Sequence, residues 1–195
     1  DNDGYFVSNH GDVRGPVATS LGLRTWANGF MTLGKHFEAD AAGPSNYDNV
    51  NAELFMNPDY SLNQGRAGLL GPYLGSPKVV KCAADKSQAV IFGRNFARVR
   101  TYSLNGAIGG RPYQHDYMRW VAGDRYAREA EIFGKLGAKQ ITFVCERPDV
   151  IDDSMWSPWI DASNYNYLEL PGSNHAGAGT FLFVDGHAES KRWLD

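Results

Sequence analysis

Asn174-His175-Ala176-Gly177-Ala178-Gly179-Thr180-Phe181-Leu182-Phe183-Val184-Asp185-Gly186-His187-Ala188-Glu189-Ser190-Lys191-Arg192-Trp193 is the stretch whose reading decides the fold. Thr180 to Val184 is apolar, β-branched and aromatic, as suits a strand covered on both faces. Asp185-Gly186 follows at once, and Asp-Gly between two strand-like runs predicts a two-residue type I′ hairpin turn. His187 to Trp193 is the returning strand. It is more polar, so one face meets water or the strand lies at a sheet edge. In this register Val184 faces His187, Leu182 faces Glu189, and Thr180 faces Lys191. Phe181 and Phe183 point to the other face and anchor the hairpin to a core.

Working outward, Lys139 to Cys145 is a strong strand candidate closed by Glu146. Asn95 to Leu104 carries bulky Phe96, Val99 and Tyr102 with basic residues between them and is read as a strand. Lys78 to Cys82 is read as a short one. Helical spacing is found at Leu23, Trp26, Phe30 and Leu33, although Gly22, Gly29 and Gly34 oppose a helix there. Asn51 to Leu54 can nucleate a turn of helix that Pro58 stops. Gln64 to Gly75 has one apolar face from Leu69, Leu70, Tyr73 and Leu74, with Gly75 and Pro77 as a stop signal. Asp124 to Leu136 places Tyr126, Ala130 and Phe133 on one side and predicts a short helix. Residues 1–16, 38–51, 105–119 and 147–173 read as loops, the first as a solvated polar entry segment. The last is long enough to be functional or packed on itself. The expected fold class is α+β: one domain over 1–195, with a small antiparallel sheet of about four strands, short helices and long loops.

The chain has 195 residues, enough to bury a core, and a formal net charge of −3 with no basic block. That argues against a nucleic-acid partner held through phosphates. No run approaches the length of about 18 apolar residues needed to span a membrane. Ten Tyr, ten Phe and five Trp are many for this length. They serve either a loop-rich core or a sugar-binding surface built on Trp26, Trp120, Trp156 and Trp159.

Catalytic signatures are thin. His175, Asp185 and His187, with Glu146 near, are the ligand types of a metal hydrolase. With a strand rise of about 3.3 Å per residue, however, His175 and Asp185 stand roughly 20 to 30 Å apart, too far to share a metal. Asp185 is explained by the turn alone, and His175 by a backbone hydrogen bond that fixes the strand entry. There is no Gly-X-Ser-X-Gly elbow and no phosphate-binding glycine fingerprint, and two cysteines far apart do not make a zinc knuckle. Asp1, Asp3 and Asp12 lack the full EF-hand spacing.

His175, nine residues, then Asp185-Gly186 resembles the H-X9-DG signature of bacterial prepilin-like proteins, which are similar to type II secretion pseudopilins and type IV pilins. Further stretches match that family in order: Asp1-Asn2-Asp3-Gly4-Tyr5-Phe6; Leu70-Gly71-Pro72-Tyr73-Leu74 with Cys82 and Asp85; Arg100-Thr101-Tyr102-Ser103-Leu104-Asn105; and Ile141 to Glu146. The chain departs from the family at Ala83, where a proline is usual, and in longer segments at 7–65, 111–125 and 147–173.

The resemblance implies a pilin-like head whose sheet packs on a long N-terminal helix that precedes Asp1 in the natural protein. It implies a structural subunit of a type II secretion or type IV pilus-like system and no enzymatic activity. The full-length protein is expected in the inner membrane with this domain periplasmic or extracellular. Expected partners are other pilin or pseudopilin subunits, joined through that helix, and secretion-system components. A glycan-binding module is the alternative, and a secreted metal-dependent hydrolase ranks last. No cofactor is required. Calcium is common near the C-terminal loops of relatives, and Asp149, Asp152, Asp153 and Asp161 are the corresponding acids here, though no spacing identifies them. In an oxidising compartment Cys82 and Cys145, both at the ends of predicted strands, can form a disulfide. Alternatively, the cysteine that relatives keep in the helix region takes Cys82 and leaves Cys145 free.

Overall fold

The computed structural model describes residues 3–9, 24–33, 47–59, 68–109, 126–133, 137–157, 160–161, 166–167 and 169–192. The strands are β1 (Gln88–Ile91), β2 (Arg94–Ala97), β3 (Tyr102–Asn105), β4 (Ile141–Cys145), β5 (Met155–Trp156), β6 (Ile160–Asp161), β7 (Asn166–Tyr167), β8 (Ala178–Phe183) and β9 (Ala188–Arg192). Among the described residues, two short α-helices, α1 (Glu53–Met56) and α2 (Glu129–Phe133), and several 3-10 turns accompany them, so the class is α+β.

One sheet organises the molecule. It has five strands in the order β5-β3-β4-β8-β9, while β1-β2 and β6-β7 form separate two-stranded hairpins. The fifth strand is β5, which comes from the segment read as loop and pairs parallel to β3, with Leu104 opposite Met155 and Asn105 opposite Trp156. The remaining pairs are antiparallel. Between β4 and β8 the register shifts from Ile141↔Phe183 to Phe143↔Leu182. The intervening Thr142 donates its hydroxyl to Leu182 O at 2.9 Å, as befits the extra residue of a bulge.

The pleat sorts two cores. Leu104 and Phe143 lie opposite one another and share a face with a cluster of Trp26, Phe55, Ile108 and Ile132. Trp26 meets Phe143 edge-to-face at 5.1 Å and donates its indole N–H to Ser154 O at 2.9 Å. Val144, Phe181, Phe183 and Trp156 fill the other face. Burial of Phe181 and Phe183 agrees with the anchoring expected of them.

The C-terminal hairpin forms at its expected place but with a different turn. Phe183 pairs with His187: its N–H donates to His187 O at 2.9 Å, and Gly186 N donates to Phe183 O at 3.0 Å. Val184, Asp185 and Gly186 thus make a three-residue loop, with Gly186 alone at positive φ (87°) and Asp185 not. This is a type I turn closed by a left-handed glycine, not a type I′ turn. Every expected pair moves by one residue: Leu182 faces Ala188, Phe181 faces Glu189 and Thr180 faces Ser190. A two-residue turn with positive φ at both positions does occur, at Phe92 (47°) and Gly93 (74°), joining β1 to β2.

Other expectations change for local reasons. Lys78–Cys82 is no strand: Pro77–Val80 is a 3-10 turn, with proline in its first turn and Ser76 Oγ accepting from Lys78 N at 3.2 Å. Asn95–Leu104 is not one strand but parts of two, β2 and β3, interrupted where Arg98 and Arg100 turn inward and are buried. In the expected helix at 64–75 the described part holds only the 3-10 turn Gly71–Tyr73. Residues 24–33 contain no helix, and Gly29 there has φ 91°. Nor is the entry segment merely solvated. Asn9 is fully buried, and its amide donates to Leu104 O at 3.0 Å and Asn105 O at 3.2 Å. Among the described residues, no helix is long and apolar enough to cross a membrane.

Candidate functional site

The two histidines of the C-terminal stretch serve opposite ends of β8. His187 is half-buried and stacks on Phe183, with centroids 4.3 Å and planes 6° apart. Its Nδ1 meets Asp185 Oδ1 at 2.5 Å and its Nε2 meets Glu189 Oε1 at 3.2 Å. The Asp185 carboxylate raises the His187 pKa, and His187 in return holds Asp185 below its usual value. Lys191 and then His187 hold Glu189 down. This is a surface charge ladder along an edge strand, separate from His175.

At the other end, the His175 ring does not reach backbone, as expected from sequence, but a thiol. Its Nε2 lies 3.1 Å from Cys82 Sγ. The backbone turn is closed by His175 N to Ala178 O (3.2 Å) and Ala178 N to His175 O (3.1 Å). Ala176 (φ 54°) and Gly177 (φ 84°) complete it. Cys82 N donates to Thr101 Oγ1 at 2.6 Å, next to Tyr102, which pairs with Cys145 on β4. The two cysteines are free and buried, and Thr101 brings them near one another: Cys82 N donates to its hydroxyl, and Glu146 N, next to Cys145, donates to its carbonyl at 2.9 Å. Burial first, then the neighbouring Cys82 thiol, pushes the Cys145 thiol far above its ordinary pKa. Burial likewise raises Tyr102, to about 12.

The second cluster is acidic. Carboxylate oxygens of Asp152, Asp153 and Glu169 lie within 4.8 Å of one another. Asp152 and Asp153 leave a helical turn in which Val150 N and Ile151 N donate to Arg147 O at 3.2 and 3.1 Å, and Ser154 separates them from β5. Asp153 Oδ1 accepts from Met155 N at 2.6 Å, and Glu169 Oε2 accepts from Ser157 N. Glu146, 1% exposed, has no hydrogen-bond partner on either oxygen. The adjacent Ser103 hydroxyl is engaged elsewhere, with Arg100 Nη1 at 3.1 Å and Asp153 O at 3.4 Å. Burial raises Glu146 well above the carboxylate range, Asp152 and Asp153 add to this, and the Arg100 charge opposes it. Glu169 is raised by burial and then by the Glu146 charge. An opposing cation is Arg100, fully buried, whose Nη2 donates to the carbonyl of Asp153 at 2.7 Å.

Four acids near the buried guanidinium of Arg100, with Arg98 also acting on Glu146, crowd negative charge that either protons or a hard cation can balance. All the donors are oxygens, which suits calcium or magnesium and not zinc. Of the acids singled out from sequence, Asp152 and Asp153 come together. Asp149 points away into an exposed pair with Arg147, and the side chain of Asp161 lies outside the described residues. Glu169 was missed. Nothing in its spacing marks it, because it joins the cluster from the far end of a long connection.

The proposed sugar-binding aromatics are corrected by burial. Trp26 (0% exposed) and Trp156 (7%) are core residues with no ring face for a ligand. Trp120 and Trp159 lie outside the described residues. The chain matches no family model, no curated protein and no solved structure.

Proposed function

We propose that this chain is the structural head of a pilin-like subunit of a type II secretion or type IV pilus-like system, catalytically inert and presented outside the cytoplasm. The observation that carries the reading is how the dispersed motifs meet. Arg100–Asn105 supplies β3, Ile141–Glu146 supplies β4, and the His175 to Gly186 stretch supplies β8 beside it. Cys82, from the motif begun at Leu70, touches His175 from the last motif. Motifs that converge on one sheet and its flanking turn support a scaffold role. The charge ladder at the β8–β9 hairpin and the His175 turn at the other end of β8 do not converge on one reaction centre. The partners are other subunits of the same assembly, and the inner membrane is the expected site of the complete gene product. The test is fractionation of that complete product in its host, together with deletion of the gene. A membrane-anchored product whose loss impairs export or a surface fibre supports the reading. A cytosolic product whose loss blocks a metabolic step rejects it.

The unpartnered Glu146 favours one addition. Asp152, Asp153 and Glu169 would hold a divalent cation of the calcium class, which supplies the missing positive charge and ties the segment before β5 to the segment after β7. Calorimetric titration with calcium chloride tests this. A one-site isotherm that Glu169→Gln weakens at least about tenfold supports it, and an absence of heat with the folded protein rejects it.

A further inference from the structure

We propose that Cys82 and Cys145 are a redox-closable dithiol in which Cys82 reacts first, His175 takes its proton, and Cys145 resolves the bond. The pair goes beyond the structural role proposed above and does not depend on it.

Three placements carry the inference. The Cys82 thiol has an imidazole nitrogen at 3.1 Å, a thiol–base pair of the kind that generates thiolate. Among the described residues no histidine is bonded to Cys145; the groups that act on it are the Cys82 thiol, the Thr101 hydroxyl and the Asp85 carboxylate. Thr101 Oγ1 also accepts from Cys82 N, so one residue at the start of β3 fixes both cysteines. The two positions also differ in cover. Cys145 lies on an interior strand with Gly172 pressed against it: a Cβ at Gly172 would stand 3.3 Å from the sulfur. Cys82 lies under His175, which is itself exposed on a tight five-residue turn. Movement of that turn uncovers Cys82 without disturbing the sheet, whereas uncovering Cys145 requires opening it. Other titratable neighbours are Asp85, already held by Ser87 N and Oγ at 2.8 and 2.9 Å, and Tyr102.

The oxidant is a disulfide, represented here by oxidised glutathione. His175 Nε2 removes the Cys82 proton, and the thiolate attacks one sulfur of the oxidant. That S–S bond breaks, and the departing glutathione thiolate takes the proton from the imidazolium. The Cys145 sulfur then attacks Cys82 Sγ in the mixed disulfide. The second glutathione leaves with the proton lost by Cys145. Two protein thiols are oxidised, and one glutathione disulfide becomes two thiols.

The experiment oxidises the folded chain with oxidised glutathione near neutral pH, blocks residual thiols, and reads intact mass. The parent is expected to lose two hydrogens and keep no adduct. Cys145→Ser should stop at one glutathione on Cys82, and Cys82→Ser should stay unmodified. His175→Gln should slow adduct formation in the Cys145→Ser background by about tenfold at neutral pH and move its pH dependence upward. Circular dichroism of each variant verifies folding. The closed form should melt roughly 5 to 15 °C above the reduced one. Two free thiols in the oxidant-treated folded parent overturn the proposal. So does equal reactivity of the two single-cysteine variants. An unchanged pH–rate profile in His175→Gln removes the histidine from the mechanism.

Discussion

The imidazole of His187 lies flat on the ring of Phe183, directly across the hairpin, while its two nitrogens face Asp185 and Glu189. The ring is thereby held between an apolar surface and two carboxylates.

A pH dependence follows, with its sign fixed by the partners. The folded pKa of His187 is above its ordinary 6.5, so its contribution is complete below that value and is lost as pH rises through the raised one. Asp185 is below its ordinary 3.8, so its contribution is complete above that value and is lost as pH falls through the lowered one. The ladder is therefore strongest between the two. Denaturation midpoints of the parent and His187→Gln should converge as pH climbs above 6.5, and added salt should shrink the gap, because these groups reach solvent. A gap independent of pH from 5 to 9 would contradict the assignment.

Two glycines separate backbone strain from steric exclusion. A Cβ on Gly186 meets nothing within 4 Å, so Gly186→Val tests positive φ alone and should cost about 1 to 2 kcal/mol. A Cβ on Gly71 would stand 1.9 Å from Met56 O, so Gly71→Ala should cost more, about 3 kcal/mol, although its φ is not positive. Urea melts that rank the two the other way are the contrary result.

Arg100 and Glu146 should be coupled. Arg100→Met removes the buried cation and its bonds to Tyr102 O, Ser103 Oγ and Asp153 O, and should destabilise by about 3 to 5 kcal/mol. Glu146→Gln should cost far less, since burial already drives that carboxyl toward its neutral form. Adding it to Arg100→Met should recover part of the loss, and strict additivity in the cycle would mean the two do not interact.

The parts of the fold that were legible in sequence are those governed by local pattern. Phe181 and Phe183 alternate and are buried, Ile141–Cys145 is a strand, and the polar run after Gly186 is an edge. Turn type was not legible, because Asp185-Gly186 serves a three-residue loop as well as a two-residue one and only Gly186 needs positive φ. The break after Ala97 was hidden too. Arg98 reads as a surface residue until its guanidinium is seen reaching Met31 O at 2.5 Å and Pro148 O at 3.0 Å. Asp152 and Asp153 are legible as acids of one loop, but Glu169 is not, because it reaches them through tertiary packing and shares no period with them.

The strand order has a consequence for synthesis. β8 sits inside the sheet between β4 and β9, yet its first residue, Ala178, is made after more than nine-tenths of this sequence. A nascent chain halted before Ala178 has Ile141–Cys145 as a bare apolar border, with unpaired N–H and C=O groups along it. Such a chain cannot close its second core, because Phe181 and Phe183 are still unmade. The residues that seal the interior are thus made long after the strands they cover, and products interrupted before Ala178 are marked for proteolysis or self-association by the border they expose.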